Sequence, residues 1–191
     1  MTLRFNDAPA MPGTGEPPGV RWARACPLPG TPGQAYVEKR GIPVSLAHQA
    51  GVRFDADWDG RPAVIVPMKD ATGQLRSVHG RYLEHLGQQN KMLTIGPGGG
   101  VVNVMEGFSR DSIILVEGLF DALSLAVCGY GSVASIGRWA PELPAAKVVW
   151  LAFDGNRPGD ATAASYRKEL AGADVRHLAP PGATRIGTRP T

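Results

Sequence analysis

Cysteine is scarce in this chain. Two residues of 191, Cys26 and Cys128, cannot build a tetrahedral thiolate site, and the four histidines (His48, His79, His85 and His177) are scattered without ligand spacing. No structural zinc is expected in this chain. Cys128 lies in an apolar stretch and reads as a small core residue rather than half of a disulfide. Long hydrophobic runs are lacking as well. The longest clean one, 148–153, is far too short to cross a bilayer, and no N-terminal stretch has the apolar centre of a signal peptide. The expectation is a soluble chain of a reducing compartment, the cytoplasm, with no membrane partner. Neither sign of charge dominates: 20 Lys and Arg stand against 17 Asp and Glu, for a net +3. That permits an anionic partner without demanding one. No internal repeat is present.

Glycine and proline are plentiful, with 25 and 17 residues, and much of the excess falls in the first 33 positions and in loops. Residues 1–33 therefore read as an arm or linker, with Val20 and Trp22 as the side chains able to pack back. Order is expected from Gln34. A short helix over 34–40 ends at Gly41, and a second over 46–50 follows a Ser45 N-cap. Residues 61–68 form a strand, Asp70-Ala71-Thr72-Gly73 a tight turn, and 75–83 the returning strand. Short strands at 90–95 and 101–104 complete a small α+β hairpin-rich subdomain over 34–110.

From residue 111 to 182 strands and helices alternate, which predicts a parallel sheet flanked by helices. The strands are 112–116, 132–136, 148–154 and 175–179. The helices are 119–127, apolar nearly all round and expected to be buried, and 159–171, with Ala163, Tyr166 and Leu170 inward. Residues 183–191 form a basic tail. The fold class is thus α/β, a parallel sheet preceded by a smaller α+β unit.

Two strands of this sheet end in an acid. Ser112-Ile113-Ile114-Leu115-Val116 runs into Glu117, and Val148-Val149-Trp150-Leu151-Ala152-Phe153 into Asp154. The carboxyl edge of such a sheet is where ligands bind. If the two strands are neighbours, Glu117 and Asp154 meet, and a hard divalent cation relieves their repulsion. Asp121, in the first turn of the following helix, also suits the helix dipole there. Arg76, Arg81 and Lys91 lie on or near the strands of the upstream subdomain, either as a basic face or as ordinary solvated charge.

These residues resemble a known family. Glu117-Gly-x-x-Asp121-Ala, a glycine turn at Gly137, then Asp154-x-Asn156-x-x-Gly159-x-x-x-Ala163-Ala164 is similar to the TOPRIM domain of topoisomerases, bacterial-type primases and some nucleases. Upstream, Tyr36-Val-Glu-Lys-Arg40-Gly41-Ile42, Pro67-Met-Lys-Asp70-Ala-Thr-Gly73, Gly80-Arg81-Tyr82-Leu83 and Lys91-Met-Leu resemble the catalytic core of bacterial and phage DNA primases, in particular the short cores of mobile elements. The likeness covers about residues 34–182.

The resemblance implies a TOPRIM-type sheet and a DNA primase activity, metal-dependent synthesis of short primers from nucleoside triphosphates on single-stranded DNA. It makes Glu117 and Asp154 the catalytic acids. Glu117, Asp154, Asn156 and Asp121 become the ligands of Mg²⁺ or Mn²⁺. Arg76, Arg81 and Lys91 become nucleic-acid or nucleotide contacts. It further implies a bacterial or phage-infected host cell, DNA replication as the process, and a helicase or a separate zinc-binding subunit as partner. The chain departs from the pattern at Asn156, where an Asp is usual, and after Pro180-Pro181-Gly182, where no acid follows. Loss of a charge at 156 weakens the hold on a cation. Two other functions therefore stay open: a catalytically weakened TOPRIM nucleic-acid-binding module of a mobile element or defence system, and a TOPRIM nuclease.

Overall fold

The computed structural model describes residues 15–70, 72–85, 87, 89–107, 111–136, 148–170 and 172–178. Fifteen elements follow one another in chain order. The first nine are α1 (Pro18–Arg24), β1 (Cys26–Pro27), α2 (Pro32–Glu38), α3 (Val44–Gln49), β2 (Arg53–Asp55), β3 (Ala63–Lys69), β4 (Leu75–Tyr82), β5 (Met92–Ile95) and β6 (Val102–Val104). Then come β7 (Ser112–Val116), α4 (Leu119–Val127), β8 (Ser132–Ala134), β9 (Val148–Ala152), α5 (Arg157–Glu169) and β10 (Asp174–His177).

They form two five-stranded sheets. The first, β1-β2-β3-β4-β5, is antiparallel throughout. The second has the order β10-β9-β7-β8-β6; its four strands from β10 to β8 are parallel and β6 is an antiparallel edge. The expected class, α/β with a parallel sheet behind a smaller hairpin-rich unit, is what the chain adopts. The two sheets are tied by a pair of backbone hydrogen bonds: Lys69 N–H donates to Val101 O at 2.9 Å, and Val101 N–H to Lys69 O at 2.8 Å.

β3 shows why the first sheet is buried on both faces. Its side chains alternate with the period of two of any strand. Val64, Val66 and Met68 enter a core shared with α4, β6 and the end of β7. Ala63 and Ile65 enter a second core, around Trp58, Val78, Tyr82 and Ile95. A third core lies beneath α5, where Ala163 and Tyr166 meet Ile113, Leu115, Val149 and Leu151. The one-sided pattern of α5 is thereby accounted for, since Arg167 and Lys168 stay exposed.

Several expectations need correcting. The described part of the arm, residues 15–33, carries α1 and β1. Pro18 opens α1 with its φ already set. The helix is then pinned by Arg21, which is 4 % exposed, ion-paired to Asp55 at 3.3 Å, stacked 4.6 Å from the Trp58 ring and hydrogen-bonded to the Asp57 carbonyl. Trp22 packs back as expected, its indole N–H donating to Gly51 O at 3.0 Å, whereas Val20 is exposed. The α2 helix begins two residues before the expected start because Pro32 occupies its first turn. In α3 Ser45 lies inside the first turn; the N-cap is Pro43, whose φ of −58° pre-sets the turn without a side-chain bond. Cys128 is exposed, not core, and α4 buries only Leu119, Ala122, Leu123 and Ala126, leaving Val127 in solvent. Gly137, the tail at 183–191 and the Pro180-Pro181-Gly182 stretch lie outside the described residues. Among the described residues no helix is long and apolar enough to cross a membrane.

Candidate functional site

The parallel pairing of β7 with β9 runs from Ser112↔Val148 to Val116↔Ala152. One step past that register, the chain delivers Glu117 next to Phe153 and Asp154 at the carboxyl edge. The Glu117 carboxylate, half-buried, accepts a hydrogen bond from the Asp154 backbone. Burial pushes its pKa up, and the Asp154 and Asp121 charges push it further. Asp121 is raised in the same way, by the packing around it first and by Asp154 next, against the pull of Gly118 N–H and of Arg40. The three acids thus crowd one edge and feel one another's charge.

Local sequence explains each placement. Gly118 is the N-cap of α4 and has no side chain to close the turn. Asp121 does so instead, its Oδ2 accepting the Gly118 N–H at 3.1 Å, the half of a capping box that an acid three residues into the helix supplies. Asp154 is held by the start of α5. Asn156 N–H donates to Asp154 O at 2.8 Å, and a Cβ on Gly159 would come within 2.2 Å of that same oxygen. Only glycine lets the helix start so close to the strand end.

Asn156 stands at the start of α5. It is the N-cap of α5: its Oδ1 accepts the Gly159 N–H at 3.0 Å. Its Nδ2 points the other way and makes a long, 3.5 Å hydrogen bond to Asp154 Oδ2. Among the described residues, no three Asp, Glu, His or Cys side chains converge closely enough to form a ready-made metal cage. The donor set nevertheless has the chemistry of a hard-cation site: carboxylates that raise one another's pKa are relieved by a divalent charge between them.

Sequence reasoning missed two cations. Arg40, two residues beyond α2, stacks 4.3 Å from the Phe120 ring and 4.8 Å from the Tyr36 ring, donates to Tyr36 Oη at 2.9 Å and lowers the pKa of Asp121. Its sequence signals were the four-residue spacing from Tyr36 and its place in the Tyr36–Ile42 segment that resembles primase cores. Lys69 is the second. Its bridge to Val101 and the pairing of Val102 with Ala134 put it on the carboxyl edge, three strand spacings of ~4.8 Å, or about 14 Å, from Glu117.

The expected basic residues divide. Arg81 is half-buried on β4 and pairs with Val64 on one side and Met92 on the other. Lys91, just before β5, accepts from Tyr82 N–H through its carbonyl at 3.2 Å, so these two cations sit at one corner of the first sheet. Arg76 stands apart. It is the extra residue of the β-bulge at the hairpin tip, exposed, and its charge helps hold the Asp70 carboxyl below its usual range, behind the larger effect of the Thr72 hydrogen bond.

Comparison with known proteins places the fold. The chain has a primase-like fold. It superposes on the primase of Aquifex aeolicus (zinc-binding and RNA polymerase domains) with a TM-score of 0.63 and 20% identity, covering 82% of this chain and 51% of that one. It superposes on a DnaG primase catalytic domain bound to ssDNA with a TM-score of 0.66 and 18% identity, over 88% of this chain and 72% of that one. The primase fragment of the bacteriophage T7 primase-helicase protein gives 0.59 and 18%, over 75% and 64%. This chain thus spans about half the length of the Aquifex structure. At such identities the likeness is one of fold. A family model described as a domain of unknown function, DUF7146, matches residues 20–102. No curated protein matches the chain.

Proposed function

We propose that this chain is the catalytic core of a DNA primase, a TOPRIM-containing nucleotidyltransferase that joins nucleoside triphosphates on a single-stranded DNA template. The observation that carries the reading is that the β7–β9 register sets Glu117 beside Asp154 at the carboxyl edge of a parallel sheet, with Asp121 in the first turn of the helix that follows, within a fold shared with primase cores. Glu117 and Asp154 would hold Mg²⁺ or Mn²⁺. When bound, that ion neutralises triphosphate charge and favours attack by a 3′-hydroxyl. Arg81 and Lys91 offer phosphate contacts without sequence preference, and Lys69 lies within reach of the same edge. Arg76, exposed on the bulge at the hairpin tip, is a weaker candidate. Asp121 shapes the edge through the turn at Gly118. A cytoplasmic setting and a partner carrying a zinc domain or a helicase complete the reading.

Primer synthesis from ribonucleotides on single-stranded DNA, with Mg²⁺ or Mn²⁺, tests it. Activity should require the cation and disappear in Glu117→Ala. DNA binding with no synthesis under any divalent cation would leave the second reading, a nucleic-acid-binding module. The orientation of Asn156 favours that alternative, because an amide N–H faces Asp154 where a carboxylate oxygen would complete a metal pair.

A further inference from the structure

Asn156 is bound on both ends. Its amide oxygen faces the first turn of α5 and accepts the Gly159 N–H at 3.0 Å. Its amide nitrogen is the end that looks toward Asp154, 3.5 Å from Oδ2. The two neighbours fix this orientation, since an N–H on one side calls for an acceptor and a carboxylate on the other calls for a donor. A flipped amide would set oxygen against carboxylate and nitrogen against N–H, losing both bonds.

The consequence concerns how many cations the edge can take. An aspartate at 156 would cap α5 equally well with one oxygen and turn the second toward Asp154. Two carboxylates with free oxygens side by side, plus Glu117, are what a two-metal centre needs. Here that second oxygen is replaced by an NH₂ group, which offers no lone pair and carries partial positive charge. Its protons also partly satisfy Asp154, as a cation would. Asp121 has one oxygen engaged by Gly118 N–H.

We propose that the acid edge takes one divalent cation per chain, held by Glu117 and Asp154, and that Asn156 excludes a second. This rests on the reading of that edge as a metal site. Asn156 is then a positioning residue that sets metal stoichiometry, not a ligand.

Mn²⁺ binding to the full chain, counted by electron paramagnetic resonance of free Mn²⁺ and by calorimetry, tests this without any activity assay. Wild type should bind one Mn²⁺, Asn156→Asp two and Glu117→Gln none. Asn156→Ser keeps a capping oxygen but has neither amide group, and should keep the single ion. Far-UV circular dichroism checks that each variant retains α5. Two ions in wild type, or one in Asn156→Asp, would overturn the proposal. So would loss of the ion in Asn156→Ser, which would make Asn156 a ligand. Absence of binding in wild type with binding in Asn156→Asp would refute the single-ion claim while leaving the edge a metal site. Absence in both would remove the metal-site reading with it.

Discussion

A Cβ placed on Gly159 would lie 2.2 Å from the carbonyl oxygen of Asp154. The α5 helix therefore starts in contact with the end of β9, and the acid edge depends on a residue with no side chain. Gly159→Ala forces the helix start away from Asp154. It should lower stability by about 1–3 kcal/mol, the usual cost of overpacking, and weaken Mn²⁺ binding. A denaturation midpoint equal to wild type would show that the helix start yields freely and that the close approach is not required.

Arg21 and Asp55 make a second such dependence. Arg21→Ala would leave Asp55 without its ion-pair partner and strip the stacking from Trp58. The expected loss is roughly 3–5 kcal/mol, as for a broken buried pair. Urea unfolding measures it. A loss no larger than for an exposed arginine would return α1 to the status of a loosely attached arm.

His79 should make the protein acid-sensitive. It is 5 % exposed, its Nδ1 lies 2.9 Å from Thr94 Oγ1, and burial, helped by the Arg81 charge, lowers its pKa to about 4. The unfolded chain protonates near 6.5, so between there and about 4 it binds more protons than the folded one, and stability falls as pH falls. The total is on the order of 3 kcal/mol, spread over that window and level below it. His79→Gln, which keeps a polar partner for Thr94 but does not titrate, should flatten this part of the stability–pH curve. An unchanged slope in the variant would assign the acid loss to other groups.

Glu117 works in the opposite sense. Burial and the Asp154 charge raise its folded pKa, so the folded state takes up a proton at a pH where the unfolded one does not. Stability is then gained as pH falls through the folded pKa and lost as it rises. At neutral pH without metal, Glu117→Gln should melt at a higher temperature than wild type, and Mg²⁺ should stabilise wild type but not the variant. A variant that melts lower in chelator would mean that Glu117 is structurally satisfied and its site role is misassigned.

Arg40→Gln should raise the pKa of Asp121, since the Arg40 charge is one of the forces lowering it. Carboxylate titration by nuclear magnetic resonance reads this directly. No movement of Asp121 would place the guanidinium outside its electrostatic reach.

The parallel half of the fold was legible because its signals are local. Runs such as Ile113 to Val116, closed by an acid and a glycine, announce a buried strand and the turn after it, and α4 over Leu119–Val127 matched its expected span. The hairpin at Asp70–Gly73 was equally plain, with Gly73 at φ +82°. The arm was misread because Pro18 and Pro32 punctuate loops and open helices alike. What distinguishes the two is Arg21 meeting Asp55, which stands 34 positions away. Cys128 and Val127 were misplaced for a related reason: an apolar composition does not say which side of a helix finds a neighbour.

By itself the sequence determined the order of elements from β3 to β10, the parallel pattern of the second half and the two acids that end its strands. These follow from backbone periodicity and turn chemistry, which act over a few residues. Tertiary structure decided the rest. The β7–β9 register set Glu117 against Asp154, the fold of α2 onto α4 brought Arg40 to Asp121, and the helix start at Asn156 turned an amide nitrogen toward the acid edge. The first two depend on groups distant in the chain; the amide of Asn156 is set by neighbours two and three positions away, Asp154 and Gly159, once the helix start brings them to it.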